Sequence, residues 1–208
     1  MSSEHNHPHD DHAPIVCDEK PGYYEILEIS IRELLIERGL LAASEIRDQI
    51  EILDSLSPVH GSKLVVRAWK DEAFKQRLLE NGVTGALEMG ITIYDDTDFT
   101  VLENTENIHH MVVCTLCSCY PRAVLGLPPD WYKNKQYRSR AVIEPRAVLA
   151  EFGTIIPDDI EIRVNDSTAN LRYMVLPVRP KGTEDYTDEQ LIGLVTRDTM
   201  IGVKVPTV

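Results

Sequence analysis

Three of the four cysteines in this 208-residue chain fall within six residues, Cys114-Thr115-Leu116-Cys117-Ser118-Cys119. A disulfide between Cys117 and Cys119 would close too short a loop for unstrained geometry. Thiolates at this density are usually metal ligands. A structural zinc site wants a second ligand pair elsewhere. None is on offer, because Cys17 stands alone and His109-His110 sits too close along an expected strand to complete a tetrahedron readily. The backbone can complete the site instead. The peptide nitrogens of Ser118 and Cys119 lie between the thiolates, and once deprotonated they would close small chelate rings with the two sulfurs. Two nitrogens and two sulfurs then make a plane, with Cys114 reaching the metal from below and a sixth position open for water or substrate. Donors this anionic suit a low-spin trivalent metal better than zinc.

The stretch Val113 to Tyr120 resembles the metal-binding motif of the nitrile hydratase alpha-subunit family. The likeness continues through Leu125 to Tyr132, Gln136 to Arg140, Glu144 to Leu149, Arg172 to Pro177 and Val195 to Val203, and so covers most of the chain after about Gly61. The family includes the similar gamma subunit of thiocyanate hydrolase. The resemblance implies that Cys117 and Cys119 are oxidised, to sulfinic and sulfenic acid. Thr115 resembles the non-corrin cobalt members, where iron members usually carry serine, so Co(III) is expected ahead of iron. The resemblance also implies a heteromer. Its partner is a beta-type subunit or two smaller beta-like subunits, with two partner arginines hydrogen-bonding the oxidised cysteine oxygens and a cobalt activator loading the metal.

Two further residues join the expected site. Glu88, in Ala86-Leu87-Glu88-Met89-Gly90, stands where the family has a polar residue near the metal and cobalt members often have glutamate; a carboxylate there can orient water or a ligand. The competing reading is a solvated helix face. Arg122 departs from the cobalt nitrile hydratases, which commonly carry tryptophan after the Cys-Tyr-Pro step; thiocyanate hydrolase carries arginine. A guanidinium near the open position would favour an anionic or polar substrate; alternatively it binds a partner's carboxylate. Tyr120, Trp131 and Tyr132 read as packing or interface residues. Arg138, Arg140, Arg146, Arg163, Arg172 and Arg179 are many arginines for an acidic chain, and some are expected to hold carboxylates across subunit contacts.

The leading expectation is the catalytic subunit of a cobalt nitrile hydratase, hydrating a nitrile to the amide. Cys119, as sulfenate, either attacks the nitrile carbon or acts as base toward water, with the metal as Lewis acid or water activator. The alternative is a thiocyanate hydrolase gamma-type subunit, releasing carbonyl sulfide and ammonia. A non-catalytic cobalt carrier and a structural zinc module are the remaining readings.

A net charge of -13 argues against nucleic acid or an anionic membrane as the main partner. No apolar run approaches the ~20 residues of a membrane span. The start of the chain does not read as a secretory signal, and the cysteine usage points to the cytoplasm.

Three regions position the site: a histidine-rich tail (1–20), expected to be disordered, with metal capture by His5, His7, His9 and His12 as the other reading; a helical arm (21–60); and a metal-binding catalytic domain (61–208). Tyr24, Leu27, Ile31, Leu34 and Leu35 make one helical stripe over Tyr23 to Arg38, closed by Gly39. An apolar helix so far from the cysteines in sequence reads as partner-facing. A helix from Ser44 to Pro58 follows, then helices over Gly61 to Trp69 and Asp71 to Glu80. Strands are expected at Ile91 to Tyr94, Thr100 to Glu103, His110 to Val113, Ile160 to Val164, Arg172 to Leu176 and Met200 to Val205. Between them come a bend at Gly126 to Pro129, helices near Lys133 to Arg140 and Pro145 to Phe152, and a helix capped by Thr187 and Gln190. Without a regular βαβ repeat the class is α+β. The resemblance implies an N-terminal helical arm followed by a layered α-β-β-α body.

Overall fold

The computed structural model describes residues 22–93, 97–117 and 119–208. The histidine-bearing tail with Cys17, the residues Tyr94 to Asp96 and Ser118 lie outside the described residues. The chain divides into two compact units, residues 1–52 and 53–208.

In the first unit, α1 (Tyr23–Glu37) follows the apolar stripe read from the sequence. Gly39 takes a left-handed conformation (φ 66), and the Gly39 and Leu40 N–H groups satisfy the Ile36 and Leu35 carbonyls at 2.9 and 3.0 Å. None of the α1 residues is buried; Tyr24 is 81% and Ile31 49% exposed. Next comes α2 (Ala43–Ser55), whose Glu45 side chain accepts from the Ala42 N–H at 2.7 Å.

The second unit opens with α3 (Pro58–Lys70). Pro58 does not close the preceding helix; it sits in the first turn of α3, where its missing N–H costs nothing, and Ser57 caps that turn. Leu64 and Val65 bring α3 into the core. Asp71 caps α4 (Glu72–Glu80) and Asn81 caps α5 (Gly82–Glu88), each by accepting a backbone N–H at 2.9 Å.

Strand β1 (Asp98–Glu103) forms a parallel pair with β4 (Leu171–Leu176), in register from Asp98↔Leu171 to Glu103↔Leu176. A second parallel pair joins β2 (Ile108–Val113) to β3 (Glu161–Asp166). Between β2 and β3 run α6 (Arg122–Leu125), α7 (Asp130–Lys133), α8 (Lys135–Ile143) and α9 (Pro145–Glu151); α10 (Asp188–Leu194) and α11 (Arg197–Ile201) follow β4. Helices α4 and α5 pack on β1, β2 packs against β4, and α9 packs on β3. The body is therefore layered α-β-β-α within the α+β class. Met174, Val175 and Leu176 of β4 are buried between these layers, and each such side chain contributes about 1.5–3 kcal/mol relative to exposure.

Two expected strands are absent among the described residues. Ile91 to Ile93 are not in a strand; the Ile91 N–H bonds the Ala86 carbonyl at 3.0 Å and so finishes α5. The expected strand Met200 to Val205 begins as helix α11. Thr196 and Thr199 cap it reciprocally, and Gly202 (φ 85) stops it. That local chemistry outweighs the β-branched run that suggested extension.

Candidate metal centre

The buried strand β2 ends directly in the cysteine loop, so its hydrophobic register sets the first sulfur. Val113 and Cys114 are wholly enclosed. The pairing Val113↔Asp166 brings the end of β3 alongside the loop. Asp166 then holds Thr115 from one side: its carboxylate accepts the Thr115 N–H at 2.9 Å and the Thr115 hydroxyl at 2.5 Å.

The loop carries its three sulfurs into one cluster. Cys114 Sγ lies 3.3 Å from Cys117 Sγ, and Cys117 Sγ lies 3.0 Å from Cys119 Sγ. All three sulfurs fall within 4.8 Å of one another. These separations exceed the ~2.05 Å of a disulfide. The Cys117 N–H also points at Cys114 Sγ, at 3.3 Å. Burial, then the neighbouring Cys117 sulfur, pushes the Cys119 thiol up to about 12, with Arg172 acting in the opposite direction. Exposure is graded: Cys114 is buried, Cys119 intermediate and Cys117 exposed.

The donor set fits a metal of right-angled preference. With metal–sulfur bonds of about 2.3 Å, two sulfurs stand about 3.3 Å apart at a right angle and about 3.8 Å apart at a tetrahedral one. The close pairs here, at 3.3 and 3.0 Å, match the former. Three thiols enclosed on one side also offer the soft, anionic donors that cobalt or iron takes up. The Ser118 nitrogen, expected as a ligand, belongs to a residue outside the described ones.

From the other side the segment α7–α8 grips the loop backbone. Tyr137 donates its hydroxyl to the Val112 carbonyl at 2.7 Å, and Tyr132 donates to the Cys119 carbonyl at 2.9 Å. Between them, Arg138 Nη1 donates to the Cys117 carbonyl at 2.9 Å and to the Thr115 carbonyl at 3.4 Å. Burial raises the Tyr132 phenol well above its ordinary range, so it stays protonated and a donor. Tyr120 and Tyr132 pack edge to face at 5.0 Å, and Trp131 meets Tyr137 at 4.9 Å; these aromatics form the packed floor under the loop.

The two outlying site residues have different surroundings. Arg122 opens α6, is exposed, and its side chain has no hydrogen-bond or ion-pair partner among the described residues. Glu88 is held by Arg77 in a two-point ion pair, both contacts 2.8 Å, with Arg67 at 4.0 Å. The Arg77 guanidinium holds the Glu88 carboxyl below the usual carboxylate range. Glu88 thus meets Arg77 and Arg67, whereas the cysteine loop meets Asp166, Tyr132 and Arg138.

Several arginines expected at subunit contacts have partners inside the chain. Arg140 pairs with Glu144 and Glu151, and Arg163 with Glu161. Arg146 donates to the Ile156, Pro157, Asp158 and Ile160 carbonyls. Asp166 and Arg138 are the loop-holding residues that sequence reasoning missed as such. They lie 51 residues from Thr115 and 21 from Cys117, and no local spacing connects them.

Residues 22–204 match the family described as nitrile hydratase, alpha chain. The low-molecular weight cobalt-containing nitrile hydratase subunit alpha of Rhodococcus rhodochrous is 52% identical over 179 residues, covering 86% of each chain. Thiocyanate hydrolase subunit gamma of Thiobacillus thioparus is 43% identical over 205 residues, covering 93% of this chain and 84% of the relative. Among solved structures, a recombinant thiocyanate hydrolase with partially modified cobalt centres superposes with a TM-score of 0.86 at 42% identity, covering 90% of this chain and 92% of that one.

Proposed function

The chain belongs to the nitrile hydratase alpha-chain family, and from that membership we propose that it is the metal-carrying catalytic subunit of a cobalt nitrile hydratase. The observation that carries the reading is the cluster of Cys114, Cys117 and Cys119, two of its sulfur pairs at right-angle spacing, in a chain 52% identical to a cobalt-containing relative. In this proposal the three sulfurs, with the Ser118 and Cys119 backbone nitrogens, hold Co(III), and Thr115 supports cobalt over iron. When bound, the metal supplies Lewis acidity toward the nitrile or toward water.

The chain's own residues do the rest. Cys117 and Cys119 are the two sulfurs that solvent reaches, and oxidation follows access; they are assigned as sulfinate and sulfenate, with buried Cys114 unoxidised. The Cys119 sulfenate oxygen serves as nucleophile or base. Asp166, Tyr132 and Tyr137 keep the loop peptides from turning. Glu88, oriented and held ionised by Arg77, is assigned to ordering water beside the centre.

A beta-type partner, or two smaller beta-like chains, completes the heteromer in this proposal. The exposed apolar face of α1 supports it, since an amphipathic stripe with no buried residue wants a cover. A cobalt activator loads the metal. No helix among the described residues is long and apolar enough to cross a membrane, and a cytoplasmic location is proposed.

Arg122 favours a second reading, thiocyanate hydrolysis. Its guanidinium has no partner among the described residues, and the thiocyanate hydrolase relative matches over 93% of this chain. One preparation, co-produced with its neighbouring genes and cobalt, tests both readings. Elemental analysis should give about one cobalt per chain. Peptide mass mapping should find added oxygen on Cys117 and Cys119 and none on Cys114. Amide release from a small nitrile supports the first reading, and ammonia release from thiocyanate the second. Stoichiometric zinc with cobalt refused would sink both.

A further inference from the structure

We propose that Arg138 is a positioning residue for this centre: its guanidinium locks the peptide units of the cysteine loop and thereby sets how tightly the loop keeps its metal. The inference rests on the cobalt reading above. Its geometric basis is a single donor shared by two carbonyls. Nη1 of Arg138 reaches both Thr115 and Cys117, at 3.4 and 2.9 Å. Two carbonyls two residues apart meet one donor only if the chain between them is curled. The same curl brings Cys114 and Cys117 sulfurs to 3.3 Å.

The neighbouring contacts do not duplicate this role. Tyr137 and Tyr132 hold the carbonyls flanking the loop, at Val112 and Cys119, each through one neutral donor. Asp166 holds Thr115 only by its N–H and hydroxyl. Arg138 grips the middle of the loop from the carbonyl side, at Thr115 and Cys117. It does so at a cost, because its Nε is enclosed with no hydrogen-bond partner among the described residues. A charged donor is the stronger kind, and it places a fixed positive charge behind a loop whose sulfurs bind as anions, Cys114 as thiolate and Cys117 and Cys119 as sulfinate and sulfenate. Arginine suits this better than lysine, since its planar fork holds its direction.

The experiment compares wild type, Arg138→Ala, Arg138→Lys and Arg140→Ala, each produced with its neighbouring genes and cobalt. Arg140 is the control: it sits two residues along α8 and pairs with Glu144 and Glu151. Two readouts are taken. One is the rate of cobalt loss to excess chelator, followed by elemental analysis and by the sulfur-to-cobalt absorption band. The other is amide hydrogen exchange in the loop peptide of the metal-free chain. Arg138→Ala should lose cobalt about 10-fold faster or more, the effect of removing an outer support, with a shifted absorption band and faster loop exchange. Added guanidinium ion should slow the loss, Arg138→Lys should fall between, and Arg140→Ala should match wild type. Release and exchange at wild-type rates in Arg138→Ala would overturn the proposal, as would an equal effect from Arg140→Ala. If wild type itself retains no cobalt, the cobalt reading fails, and loop exchange in the metal-free chain still decides whether Arg138 locks the loop. Should Arg138→Ala not fold, Arg138→Lys carries the same comparison.

Discussion

Gly202→Ala should destabilise the body of this protein far more than one methyl group suggests. Gly202 sits at φ 85, and a Cβ there would lie 2.1 Å from the His110 carbonyl oxygen and 3.0 Å from its carbon. Ordinary contact begins at 3.4 Å, so β2 would have to retreat by 3.4 − 2.1 = 1.3 Å. The left-handed conformation itself costs a non-glycine residue about 1–2 kcal/mol. Overpacking against a strand held on its other edge by β3 adds about 1–3 kcal/mol. The sum, about 2–5 kcal/mol, is a large share of the ~5–15 kcal/mol that holds a domain together. With a urea slope of about 1–3 kcal/mol per molar, the midpoint should fall by at least about 0.7 M, and by about 1.7 M at the middle of both ranges. Gly193→Ala is the matched control. That glycine lies inside α10 with nothing within 4 Å of an added Cβ, and alanine there should be neutral or stabilising by up to ~1 kcal/mol. Urea unfolding followed by circular dichroism reads both variants. A Gly202→Ala midpoint within about 0.3 M of wild type would refute the reasoning, because it would mean β2 yields freely at the strand that delivers Cys114.

Arg122→Trp should raise kcat/KM for a small apolar nitrile relative to thiocyanate, about tenfold if the difference approaches ~1.4 kcal/mol; measured at matched cobalt content, an unmoved ratio would place Arg122 at a subunit contact instead. Stability should fall on mild acidification. Burial lowers His109 below its ordinary 6.5, with its Nε2–H donated to the Gly202 carbonyl at 2.7 Å and Nδ1 facing Asn104 at 3.2 Å. The unfolded chain therefore takes up the proton first, and the stabilisation is whole above about pH 6.5 and lost as pH falls through the folded value. Urea midpoints at about pH 7.5 and about pH 5.5 should differ in wild type and differ less in His109→Gln; equal slopes would assign the effect elsewhere.

What the sequence determined by itself is what a few neighbouring residues decide. Asp71 and the Thr187–Gln190 box cap their helices as read, because a capping side chain reaches a backbone N–H only two or three residues away. Gly39 ends α1, and Pro145 opens α9, for the same local reason. The three cysteines were legible as a cluster that could hold a metal, because the spacing within one loop already limits how far apart their sulfurs can be. Tertiary structure decided what depends on groups remote along the chain. The parallel pairings β1–β4 and β2–β3 join strands separated by dozens of residues, and no periodicity names a strand's partner. The same holds for the partners of the polar side chains. Glu88 goes to Arg77, Asp166 to Thr115 and Arg138 to the Cys117 carbonyl, each across a gap of more than ten residues. A charge or hydroxyl announces in the sequence that it needs a partner, but only the packed layers determine which one lies within the ~3 Å reach of a hydrogen bond.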